Sequence, residues 1–379
     1  MILENLKTNV ILLNKNDFGN DLFLGSSSYY KENSINNKEK SLLLKKVNYF
    51  NTNDSSFYKS ELIKYKQDIE LIKQAGVLHF RFSLSWSRII PDGIGEINIE
   101  AIHFYNDILD ICIENRIEPM VSLFDSCLPT ALKNNGGWSN RESLNWFENY
   151  VTICVNAFKR KVTYWIVFNE PSVFTGASSL FEIYPSGKNK IKIFLSVLHH
   201  VLLCQSIGFK KIKKIVKTAH VGSFFSYNYC IPMTFSEKDL KAAERIDTLL
   251  NRIFIEPLLG LGYPIKSLPF LKNSTKNYIA GDNDLIKVDF DFIGLQNCTQ
   301  EIVCHNSFVP YFNAKILNYD KLRVKKNHLS LENYHELISH IIKKYSEYDG
   351  IKKIIVDENN LTSIPNQPNL NDSFAIKSN

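Results

Sequence analysis

Nothing in this sequence has the pattern of a disulfide scaffold or a zinc ribbon. Its seven cysteines are odd in number and none forms a Cys-x-x-Cys pair. Most lie in apolar runs, where a free thiol packs as a small hydrophobe. Such usage points to a reducing compartment without structural disulfides. No apolar stretch approaches the ~20 residues needed to span a bilayer. The N-terminus lacks a basic region followed by an apolar one, so no signal peptide is expected. Proline- or serine-rich linkers and short fixed-period repeats are also missing. The 45 basic and 39 acidic residues leave a net charge of +6 but are interspersed. A nucleic-acid binder would show a concentrated basic stripe instead. The densest basic patch, Lys210 to Lys214, reads as a solvated helix end. The expectation is a soluble, cytoplasmic protein with neither nucleic acid nor membrane as partner.

What is present is a large apolar fraction, 44% of 379 residues, arranged as short apolar runs alternating with helical patterns. That alternation predicts βα units around a parallel sheet. The strands are read as Leu22–Ser26, Leu78–Leu84, Glu118–Phe124, Val162–Asn169, Ile215–Ser223, Asp291–Gln296 and Ile354–Glu358. The helical patterns are Leu62–Ala75, Ala101–Asn115, Arg141–Phe158, Ile193–Lys211, Ala242–Phe254 and Leu331–Tyr345. Asn98 and Ser139 are read as N-caps and Gly76 as the residue after a helix C-terminus. Lys31–Ser56, rich in Asn, Lys and Ser, reads as a long surface loop, and Thr362–Asn379 as a frayed tail. One domain over residues 1–379 is expected, an α/β (β/α)8 barrel of the TIM type. Its strands are used up by residue 358, which leaves it short of the last strand and helix. The open edge would invite a partner chain or an oligomer.

The most informative stretch is Val162-Thr-Tyr-Trp-Ile-Val-Phe-Asn-Glu-Pro171. It reads as a strand buried on both faces. It ends in an amide, a carboxylate and a residue that stops strand pairing. A carboxylate at the end of a buried strand is costly unless chemistry requires it, although a solvent-facing Glu would be the plain alternative. Ile351-Lys-Lys-Ile-Ile-Val-Asp-Glu358-Asn359 has the same shape. In one closed barrel Glu170 and Glu358 would face each other, the arrangement that glycosidic bond cleavage requires.

With these residues in view, the chain resembles glycoside hydrolase family 1, the β-glucosidase family, with residues 15–360 covered. His79-Phe-Arg-Phe-Ser-Leu-Ser-Trp-Ser-Arg-Ile-Ile-Pro91 is similar to that family's second-strand signature, and Tyr65–Gly76 to the helix before it. Trp165–Pro171 resembles its acid/base motif. Leu198–Cys204 and Phe254–Pro257 resemble two further helix segments. Asp291–Leu295 resembles the sixth strand and Val356–Asn359 the nucleophile motif. The resemblance implies a retaining β-glycosidase acting on a small-molecule glycoside, without cofactor or metal. Glu170 would be the general acid/base and Glu358 the nucleophile, ~5–5.5 Å apart. Asn169 would hold the sugar 2-hydroxyl, and Arg81 would keep Glu358 ionised.

The departures are equally specific. Asp125 stands where the family has a sugar-binding His, read either as altered specificity or as drift. Lys31 stands near an expected Gln. Gln296-Asn297-Cys298 replaces Asn-Tyr-Tyr, so the Tyr that would hydrogen-bond the nucleophile is gone. These losses keep open an alternative: a catalytically impaired relative that binds carbohydrate or protein. His199 and His200 diverge by ~100° on a helix and read as packing rather than metal ligands. Trp86, Trp138 and Trp165 read as core rather than sugar platform. Gly136-Gly137 reads as loop geometry.

Overall fold

The structure, a computed structural model, describes residues 25–27, 55–74, 76–177, 187–277, 279–317 and 334–357. Most of the Lys31–Ser56 segment, including Lys31, lies outside the described residues. So do Glu358, the Thr362–Asn379 tail, the first residues of Leu22–Ser26 and of Leu331–Tyr345, and Ala75. The strands are β1 (Gly25–Ser27), β2 (His79–Ser83), β3 (Glu118–Phe124), β4 (Tyr164–Asn169), β5 (His220–Pro232), β6 (Phe292–His305), β7 (Ala314–Leu317) and β8 (Ile354–Asp357). They form one sheet in the order β1-β2-β3-β4-β5-β6, with β8 also paired to β6. Every pairing is parallel except β6 with β7, a hairpin laid on the far end of β6. This is a curled, partial (β/α)8 sheet flanked by helices, as the alternation of elements requires.

Two clusters account for the packing. The larger lies between sheet and helices and includes Phe80, Phe82, Trp86, Val121, Trp165, Val167 and Leu295. The smaller fills the concave side: Met120, Ile166, Phe224, Phe292 and Ile355. Gly294 explains itself here. A Cβ on it would stand 2.3 Å from the Phe224 ring, so only glycine lets that ring fill the interior. Trp86 stacks on Tyr150 at 4.5 Å between ring centroids. Trp86 and Trp165 are fully enclosed and Trp138 nearly so, in line with the core reading. Burial also pushes the Cys112 thiol up to about 12, so it packs as an apolar group.

Local signals account for several boundaries. Asn98 Oδ1 accepts from the Ala101 amide at the start of helix Ile99–Glu114. Gly76, at φ +72°, follows helix Ser55–Gln74, with its N–H on Lys73 O and the Val77 N–H on Ile72 O. That is the paired-bond helix ending glycine permits. Gly136 and Gly137 both have positive φ, as loop residues do.

Four readings need correction. Ser139 does not cap a helix: it ends a 3₁₀ turn, and its hydroxyl donates to Gly136 O at 2.6 Å. The following helix is Ser143–Phe158. The strand read as Ile215–Ser223 begins only at His220, because the preceding helix runs from Gly187 to Ile215. β6 continues far past Gln296 and carries the unanticipated β7. Lastly, Lys190–Ile215 is long and apolar enough by composition to cross a membrane, but 67% of its apolar window is buried inside the protein. It is the core helix against Ser143–Phe158. Lys211 and Lys213 near its end pair with Glu148 and Asp291.

His199 and His200 serve this packing. His199 Nε2 bonds Asp282 Oδ2 at 2.9 Å, and Asp282 is gripped by both Nη atoms of Arg141 at 2.6 and 3.0 Å. His200 Nδ1 bonds Trp138 O. Among the described residues no acidic, His or Cys group is arranged to hold a metal. Burial lowers the pKa of both histidines. Burial alone would raise that of Asp282, but hydrogen bonds from Arg141, the Ile279 amide and His199 hold it well below the carboxylate range. The signs then follow. The unfolded histidines protonate below about pH 6.5 while the folded ones resist, so stability falls as pH drops from there. The Asp282 contribution persists until pH falls below its unfolded value of about 3.9. Arg141→Ala should destabilise by about 3 kcal/mol, the low end for breaking a buried pair, because its side chain is one-third exposed. Denaturant melts of wild type and Arg141→Ala at pH 7.5 and pH 5 check the histidine and Arg141 statements. A pH-independent midpoint, or an unaltered variant, would contradict them.

Candidate active site

Strand β2 and the C-terminal ends of β3 and β4 carry four of the five sequence-predicted site residues, Arg81, Asp125, Asn169 and Glu170. Arg81 lies on β2, and its guanidinium carbon sits 4.6 Å above the centre of the Phe224 ring, capping the apolar interior. Its Nη1 donates to Asn169 Oδ1 at 2.7 Å, and Asn169 Nδ2 donates to Asp125 Oδ1 at 3.1 Å. Its Nη2 pairs with Asp357 Oδ2 at 2.6 Å. The result is one chain of polar contacts across the mouth: Asp125, Asn169, Arg81, Asp357. Arg81 and Asn169 are 6% and 1% exposed, so each needs such partners.

A bulge in β4 creates the end of this motif. Ile166 pairs with Gly222 but Asn169 with Phe224, so β4 carries an extra residue over that step. Bulges re-aim side chains beside active sites. Glu170 follows in the left-handed region at φ 50°, its N–H donating to Phe224 O. The residue is 5% exposed, and its Oε1 accepts from Asn297 Nδ2 at 2.5 Å. Pro171 then opens a short helical turn to Phe174, where its missing N–H costs nothing.

Two features differ from the sequence reading. Glu358, the fifth predicted site residue, lies outside the described residues, and the carboxylate that Arg81 holds is its neighbour Asp357. Strand alternation accounts for this: Ile355 belongs to the interior cluster, so Asp357 shares its face. Sequence reasoning also missed Asn297 and Gln296. Gln296 is fully enclosed, with neither amide atom hydrogen-bonded; it is register partner to Asp357 and Ser226. Beside Asp125, an open pocket of about 310 Å³ is lined by Ser126, Leu128, Trp138, Phe174 and Thr175.

A partial (β/α)8 sheet carrying Asn-Glu at the end of its fourth strand defines a scaffold of the glycoside hydrolase type. The chain belongs to glycosyl hydrolase family 1, whose profile it matches over residues 42–377. It is similar to beta-glucosidase A of Thermotoga maritima, 31% identical over 297 residues, covering 78% of this chain and 66% of that protein. It is 31% identical to the 6-phospho-beta-glucosidase GmuD of Bacillus subtilis, over 81% of this chain and 67% of that one. Among solved structures, the family 1 b-glucosidase from Thermotoga maritima superposes with a TM-score of 0.69 at 30% identity, covering 78% of this chain and 66% of that one. The virulence factor SghA of Agrobacterium tumefaciens, solved with its substrate analog salicin, gives 0.69 at 26% identity, with the same coverage. The chain thus spans about two thirds of the length of the relatives it matches.

Proposed function

We propose that the protein is a β-glycosidase that cleaves O-glycosidic bonds by double displacement. Glu170 acts as proton donor and then as base, and Glu358 as nucleophile. The observation that carries this reading is the buried Glu170 at the end of β4, next in sequence to the Arg81-bound Asn169 and hydrogen-bonded by Asn297. In the first step Glu170 gives its proton to the leaving oxygen while Glu358 bonds to the anomeric carbon and the glycosidic C–O bond breaks. In the second, Glu170 takes a proton from water, whose oxygen displaces Glu358 and regenerates both carboxyl groups. Asn169 and Arg81 would order the glycone side, and Asp125 would contact the sugar in place of an imidazole.

The relatives' printed activities recommend a panel of aryl β-glycosides with and without a 6-phosphate. Wild type should release the phenol from at least one member. Glu358→Ala should abolish that release, and Asp357→Ala should reduce it without abolishing it. A wild type indistinguishable from Glu358→Ala across the panel would end the catalytic reading.

One observation favours a second reading, a carbohydrate-binding relative with impaired catalysis. Both ends of the Asn169 amide are already engaged, by Arg81 and Asp125. On that reading a glycoside raises the melting temperature saturably and is not hydrolysed.

A further inference from the structure

We propose that Asn297 is a positioning residue for Glu170, holding the acid/base carboxyl toward the scissile oxygen; this rests on the catalytic reading above. The backbone supplies the argument. Ser226 pairs with Gln296 but Asn228 pairs with Thr299, so β6 carries one residue more than β5 over that step. Asn297 sits in this bulge at φ 49°. Phe292 and Gly294 face the interior, the first as part of its apolar cluster and the second against the Phe224 ring. Regular alternation would therefore turn the side chain of residue 297 away. The bulge brings it back, and its Nδ2 reaches Glu170 Oε1 at 2.5 Å.

The bulge is pinned from behind. Asn251 Oδ1 accepts from the Asn228 amide at 3.0 Å, and Asn251 Nδ2 donates to Asn228 O at 2.8 Å. Asn228 Nδ2 in turn donates to Thr299 Oγ1 at 2.7 Å. Glu170 is also left-handed, at φ 50°. Thus two non-glycine residues, each in a conformation costing of order 1 kcal/mol, meet across β5 from its two neighbouring strands. Asparagine is among the side chains that tolerate this region best. Strain kept at two facing positions by a surrounding network is a mark of function.

The chemistry follows from the donor. An amide N–H facing Oε1 is met best by an unprotonated carboxyl oxygen, so it favours the acid form with its proton on Oε2. Asn297 thereby selects which oxygen protonates the leaving group. Its loss should matter only where the leaving group needs a proton.

The test is kcat/KM over a series of aryl β-glycosides of the sugar that wild type turns over best. For Asn297→Ala we expect a fall of up to ~10²-fold on the phenyl glycoside, the scale of a misplaced catalytic group. On the 2,4-dinitrophenyl glycoside, whose phenolate leaves unaided, the change should stay within about twofold. Asn297→Asp, which replaces the donor by a like charge, should behave in the same way or worse. An equal loss on both substrates is what a merely loosened fold would give, and would overturn the proposal, as would no loss on either. If wild type and Glu170→Ala are both inactive on every substrate, the catalytic reading fails and this inference with it.

Discussion

Glu170→Ala is expected to lower kcat/KM on a phenyl β-glycoside by about 10²–10⁴-fold, the usual contribution of a positioned general acid. The same variant should retain most of its kcat/KM on the 2,4-dinitrophenyl glycoside. Its kcat there should fall, because water attacks the glycosyl-enzyme without a base. Azide, a nucleophile that needs no deprotonation, should restore turnover and give a glycosyl azide. These expectations come from placement. Glu170 is buried at the end of β4, where the bulge after Ile166 and the turn at Pro171 leave it facing the mouth. A uniform loss on both substrates, with no response to azide, would make Glu170 a structural residue.

Arg81→Met should damage both stability and activity. Arg81 is the cation that joins Asn169 to Asp357, and its side chain is 7% exposed against 18% for Asp357. Removing one partner of a buried pair costs about 3–5 kcal/mol, because the other charge stays buried. With Asp357 retaining some access to water, the low end applies. At roughly 2 °C per kcal/mol for a chain of this size, the melting temperature should drop by about 6 °C. The double variant Arg81→Met, Asp357→Leu should recover much of this loss, because no unpaired charge remains. Activity should not recover, because Asn169 loses the donor on its Oδ1 in both variants. A melting temperature unchanged in Arg81→Met, or an active double variant, would contradict this account.

Much of this arrangement was legible in the sequence because parallel strands are buried on both faces and read as uninterrupted apolar runs. β2, β3 and β4 follow their predicted boundaries within two residues for that reason. The Asn169-Glu170-Pro171 ending was legible because polar groups at that depth are costly. What escaped was written in backbone geometry rather than composition. The far half of β6 loses its pattern at the Asn297 bulge, so Cys298 to His305 gave no period to follow. Asn297 itself stands where the family pattern has a tyrosine, so the resemblance presents it as a loss. Its clue was the residue type, an asparagine tolerant of positive φ at a break in alternation. Asp357 was overshadowed by Glu358, although alternation from Ile355 places it on the interior face. The strand expected at Ile215 failed because apolar residues alone do not separate a helix end from a strand start.

The assignment of the two carboxylates is tested most directly by trapping the intermediate. Wild type is incubated with an activated 2-deoxy-2-fluoro-β-glycoside, whose fluorine slows both steps but whose leaving group lets the first proceed. Intact mass and peptide mapping then locate the sugar. The account predicts one glycosyl group per chain, on Glu358, formed in Glu170→Ala as well and absent in Glu358→Ala. No adduct in an otherwise folded protein, or an adduct on Asp357, the carboxylate that Arg81 holds, would contradict it.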